Sequence, residues 1–107
     1  TTLGSVIGTL GYVAPEQVTN MNVDHRVDIF SFGVILYELL TNQLPFKGEN
    51  EIAVIHSIFN TVPPPPSTLQ PVVPKWTDEL VMRCLAKEPR ERYASVDEII
   101  GAIQRHD

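Results

Sequence analysis

The stretch GTLGYVAPEQ, Gly8 to Gln17, packs two glycines, a tyrosine and an Ala-Pro-Glu into ten residues just ahead of a helical pattern. Glycine turns the backbone tightly without a Cβ penalty, whereas proline suits the first turn of a helix. The stretch therefore reads as a loop with tight turns at Gly8 and Gly11, closed by a short helical turn that starts at Pro15. The residues before it are small and show no period.

The next segment, HRVDIFSFGVILYELLT (His25 to Thr41), carries apolar residues in nearly every direction around a helix. A helix of that kind needs enclosure on all sides, and the run is too long for a buried strand. Asn42 to Phe46 (NQLPF) breaks it. Asn50 is expected to cap a third helix with Ile52, Ile55 and Phe59 on its inner face. The run Pro63 to Pro66 offers no amide hydrogens and is expected to be a stiff, extended, exposed connector within 60–75. Thr77 is expected to cap a fourth helix that buries Leu80, Val81, Cys84 and Leu85 and ends at Pro89. Ser95 and Glu98 form a capping-box pattern ahead of Val96, Ile99, Ile100 and Ile103. The expected fold is mainly α.

Composition narrows the function. The 107 residues are 43% hydrophobic and 20% charged, which fits one globular domain. A net charge of -5 without a dense basic run argues against nucleic acid or an anionic membrane as partner. Cys84 stands alone, so no intrachain disulfide forms and a reducing compartment, the cytoplasm, is expected. The longest apolar run, Val34 to Tyr37, is far too short for a membrane span. His25, His56 and His106 are too scattered for a metal site. Trp76 and Tyr93 flank helices and are expected to pack. The chain starts at Thr1 without a methionine and is expected to be part of something longer.

Three motifs in order give these elements a resemblance. Gly8-Thr9-x-x-Tyr12-x-Ala14-Pro15-Glu16 resembles the end of the activation segment of eukaryotic-type protein kinases. Asp28, Ser31, Gly33, Leu36, Glu38, Leu39 and Thr41 match the family's central buried helix, and Pro45-Phe46 follows at the family's place. KEPRERYAS resembles its D-P-x-x-R, with Glu88 in place of aspartate and Arg92 at the arginine. The APEQ ending and the compact Gly48-Glu49-Asn50 link are most similar to bacterial or archaeal members.

The resemblance implies the helical part of a kinase large lobe: an activation and docking loop (1–17), a central helix (25–42), a Pro-rich connector (60–75) and about five helices in all. It implies that Gly8, Thr9, Leu10, Gly11 and Tyr12 hold a protein substrate, with Thr9 orienting the substrate hydroxyl and favouring Ser or Thr. Glu16 and Arg92 form the family's structural ion pair, and Asp28 supports a catalytic loop. Thr1, Thr2 and Ser5 fall where activation-loop phosphorylation occurs. The whole kinase uses ATP and Mg2+, but the Gly-rich loop, the strand lysine, H-R-D-x-x-x-x-N and D-F-G are not in this sequence. His25-Arg26-Val27-Asp28 and Ser31-Phe32-Gly33 only imitate the last two, inside one helix. The chain alone is therefore expected to bind neither ATP nor metal and to be inactive. A kinase-like binding scaffold without catalysis is the alternative. The apolar central helix, partly uncovered here, is expected to make the chain self-associate.

Overall fold

The computed structural model describes residues 10–19 and 23–106, and among them it holds helices and no strand. Helix α1 spans Pro15–Thr19, α2 Arg26–Thr41, α3 Glu51–Asn60, α4 Pro66–Leu69, α5 Lys75–Cys84 and α6 Val96–Arg105, with a 3-10 turn at Pro89–Glu91 between the last two. The mainly α expectation holds, and α4 is a helix that the periodicity did not show.

Local chemistry explains the ends. Pro15 opens α1, and Gln17 reaches back to accept the Ala14 backbone N–H at 2.9 Å, half of a capping box. Asp24 accepts the Arg26 N–H at 2.9 Å ahead of α2. At its far end Asn42 adopts a left-handed conformation, φ 62°, which closes the helix with a bond to the Glu38 carbonyl. Asn50 caps α3 by accepting the Ala53 N–H, and Ser95 caps α6 by accepting the Glu98 N–H, both as the sequence suggests.

Helix α2 lies between two clusters of buried side chains. Phe30, Val34 and Tyr37 join Ala14, Phe46, Val54, Ile58 and Val81 on one side. On the other, Ile29 meets Leu80, Cys84, Tyr93 and Ile99. Helix α5 packs on α2 so closely that a Cβ at Gly33 would stand 2.6 Å from the Cβ of Cys84. Only glycine admits that approach.

Three expectations need correction. Helix α3 turns Val54, Ser57 and Ile58 inward, while Ile52 is 80% exposed and Phe59 is also exposed. The helix is apolar on more than one side, and packing against α1 selects the face. Thr77 does not cap α5. The helix starts at Lys75 after Pro74, and the Thr77 hydroxyl, within the first turn, donates to the Pro74 carbonyl at 2.6 Å. Pro89 opens the 3-10 turn rather than ending α5, which closes at Cys84. In α6 only Ile99 is buried, with Val96, Ile100 and Ile103 left exposed.

The proline run is also less free than expected. Pro63 and Pro66 are buried, the Pro64 carbonyl accepts the Tyr37 hydroxyl at 2.8 Å, and Pro66 begins α4. Asp78 anchors that short helix by accepting the backbone N–H and the hydroxyl of Ser67. The run is a strap over α2.

The enclosure of α2 stops along one stripe. Phe32, Ile35 and Leu39 remain exposed, Leu39 by 77%. They follow helical spacing on a single row, and Asp28 falls on the same row.

Candidate functional site

Leu10, Gly11 and Tyr12 form a turn in which the Val13 N–H donates to the Leu10 carbonyl at 3.1 Å. Leu10 and Tyr12 lean on the first core cluster. Two polar residues of α2 hold the turn in place. Ser31 donates its hydroxyl to the Tyr12 carbonyl at 2.8 Å, and the Tyr12 hydroxyl donates to Glu38 at 2.5 Å. Ser31 and Glu38 sit two helical turns apart, so they face the same side, one row from the exposed stripe. The Glu38 hydrogen bond, followed by burial and the Glu38 charge, raises the Tyr12 pKa, so the phenol stays a donor.

Neither Ser31 nor Glu38 stands among the site residues expected from the sequence. Their signal was available as two polar residues at two-turn spacing in an otherwise apolar helix. Their partner lies 19 and 26 residues away, and only folding supplies it.

Immediately after this turn, Glu16 meets Arg92. The guanidinium binds the carboxylate with both terminal nitrogens, at 2.6 and 2.8 Å, although the partners are 76 residues apart. Arg92 also donates to the carbonyls of Ala86, Arg26 and Lys87, which uses every N–H it has. Its side chain is 0% exposed and lies over the Phe30 ring. Burial pushes the Glu16 pKa up, but the Arg92 hydrogen bonds, a backbone N–H and the Arg92 charge outweigh it and hold the carboxyl below its ordinary value. The pair clamps α1 to the loop before α6.

Lys87 adds a second clamp. Its ammonium donates to the Ile58 carbonyl at the end of α3 and stands 4.1 Å from the centre of the Phe46 ring. Burial, and then the Arg92 charge, lower its pKa to about 8. Cys84 is buried, its thiol pushed up to about 12 by desolvation, which leaves it unreactive.

Asp28 is exposed and accepts no hydrogen bond among the described residues. Gly8, Thr9, Thr1, Thr2 and Ser5 lie outside the described residues. No described group of His, Cys, Asp or Glu could hold a metal ion. The residues present do not fit ATP with Mg2+: the phosphate loop and the carboxylates that hold the metal are not in this sequence. No described helix is long and apolar enough to cross a membrane.

A turn pinned to a central apolar helix, with a glutamate and a buried arginine locking its end, fits the helical part of a kinase large lobe. A model of the protein kinase domain matches residues 1–103, and the chain belongs to that family. Bacterial kinases are among its relatives. The serine/threonine-protein kinase Pkn1 of Myxococcus xanthus is 42% identical over 94% of this chain. The serine/threonine-protein kinase PknH of Mycobacterium bovis is 36% identical over all of it. The tyrosine-protein kinase MasK of Myxococcus xanthus is 36% identical over 97%. The chain spans only 15%, 18% and 16% of those proteins, respectively.

Proposed function

We propose that this chain supplies the substrate-docking turn and the helical core of a protein kinase that moves the γ-phosphate of ATP to serine or threonine hydroxyls of proteins. The observation that carries the reading is the double anchorage of Tyr12 on Ser31 and Glu38, with the Glu16–Arg92 clamp directly behind it. A kinase works chiefly by holding a peptide still beside the phosphate, and a rigidly backed turn serves that purpose. Gly8, Thr9, Leu10, Gly11 and Tyr12 line the peptide's path. Thr9 orients the accepting hydroxyl and favours serine or threonine. Phosphorylation at Thr1, Thr2 or Ser5 adds charge that an arginine can gather, ordering the segment.

ATP and Mg2+ belong to the remainder of the domain, where the metal neutralises the phosphates. This chain alone neither binds them nor catalyses. The net charge of -5 supports a protein substrate rather than nucleic acid, and the single cysteine supports work in the cytoplasm.

The test is phosphotransfer by the full-length parent on a mixed serine, threonine and tyrosine substrate, beside its Thr9→Ala form. Transfer to serine or threonine, reduced about a hundredfold in the variant, is expected. Transfer to tyrosine alone would overturn the specificity. No transfer by a folded, activated parent would make the domain a binding scaffold instead.

The exposed row of Phe32, Ile35 and Leu39 beside Asp28 marks the side of α2 that the remainder of a kinase domain covers. Without that cover, the isolated chain self-associates through this row. Light scattering at high micromolar concentration is expected to show dimers or larger species, reduced in Phe32→Ser/Leu39→Ser. A monodisperse monomer of the isolated, unsubstituted chain would contradict this.

A further inference from the structure

Helices α5 and α6 line an open cavity of about 270 Å³ that shares no lining residue with the docking turn, with Trp76, Glu79, Arg83, Tyr93, Arg105 and His106 on its walls. Trp76 stacks on His106, ring centres 3.8 Å apart, and the Arg83 guanidinium lies 4.2 Å above the buried Tyr93 ring. Aromatic plates and cations thus form a single surface.

The chain is acidic, and four of its eight lysines and arginines are committed elsewhere. Arg26 is paired with Asp24 and Arg92 with Glu16, while Lys87 is held by the Ile58 carbonyl and Lys47 by Gln43. Arg83 and Arg105 converge on the cavity instead. Arg83 pairs with Glu98 at a long 4.0 Å, both side chains half exposed, and Arg105 makes no ion pair among the described residues. Two incompletely neutralised guanidinium groups around one cavity, one from each helix, attract a carboxylate or a phosphoryl group, which a guanidinium can grip through parallel N–H bonds.

Size and the remaining charge select the kind of ligand. Cavities for drug-sized ligands span about 300–1,000 Å³, so this one accepts a side chain rather than a large cofactor. Glu79 on the same wall opposes a bare anion but accepts an N–H, which a peptide backbone carries beside its acidic side chain. Trp76 and Tyr93 offer an apolar neighbour a flat surface.

We infer that the cavity between α5 and α6 is a docking site for an acidic peptide segment of a partner protein, separate from the substrate turn. The site contains the only tryptophan of the chain, so intrinsic fluorescence reports on it directly. The 107-residue chain is titrated with Ac-Asp-Glu-Phe-Asp-NH2, with its amide counterpart Ac-Asn-Gln-Phe-Asn-NH2 and with inorganic phosphate. A saturable change with the acidic peptide is expected, weakened by added salt and at least about tenfold weaker in Arg105→Gln, whose melting curve should match the parent's. Equal binding of the amide peptide, no change at millimolar acidic peptide, or full affinity in Arg105→Gln would each overturn the inference. Phosphate that binds as tightly as the acidic peptide would also overturn it, by making the cavity a small-anion site.

Discussion

Arg92→Ala is expected to destabilise the fold by about 3–5 kcal/mol, because it breaks a buried pair and strips three carbonyls of their donor at once. For a chain of this length that lowers the melting point by more than about 10 °C. Glu16→Ala leaves the guanidinium, 0% exposed, with its remaining carbonyl partners and no counter-charge. Its effect should be of similar direction and somewhat smaller. Melting points within a degree or two of the parent would show the pair to be an ordinary surface contact.

The same pair predicts a pH dependence. The Glu16 carboxyl has a lower pKa folded than its ordinary 4.5, so its contribution is present above about that pH and fades as pH falls through the folded value. Asp24, depressed by the Arg26 backbone N–H and further by the Arg26 charge, acts in the same direction. Glu16→Gln separates the two. Between about pH 5 and pH 3 the parent should lose more melting temperature than Glu16→Gln does, and parallel losses would remove Glu16 from the acid response.

Phe46→Ala should be comparably damaging, at about 3–5 kcal/mol. Phe46 is 1% exposed and stacks on Phe30 with ring centres 5.7 Å apart. The Lys87 ammonium, whose carbonyl bond holds the end of α3, stands 4.1 Å from the Phe46 ring centre. Truncation therefore opens a cavity between α2 and α3 and removes the aromatic contact of a half-desolvated cation. Phe46→Leu restores most of the volume without the ring and should cost less than about 1.5 kcal/mol if packing dominates. Chemical denaturation of the three proteins checks this, and a Leu variant as unstable as the Ala variant would give the leading role to the ring's interaction with Lys87.

The helices that the chain forms were legible from spacing and end chemistry. Asn50 and Ser95 cap the helices they precede, Pro15 opens the first, and Leu80, Val81, Cys84 and Leu85 are all buried, divided between the two clusters. The Glu16–Arg92 pair was legible only because motifs 76 residues apart lay in family order, since nothing local joins the two charges. The inner face of α3 was not legible. Ile52, Ile55 and Phe59 keep helical spacing as well as Val54 and Ile58 do, and which set turns inward depends on what stands opposite.

By itself the sequence determined the helical class, most helix starts, the kinase resemblance and the residues that clamp the segment's end, because caps, periods and motifs act over a few residues or are written in order. Tertiary structure alone decided which faces were buried, that Ser31 and Glu38 hold Tyr12, that the prolines pack as a strap, and that Arg83, which lies over Tyr93, lines one cavity with Arg105. Those outcomes depend on side chains brought together from distant parts of the chain, where burial and pairing outweigh local preference.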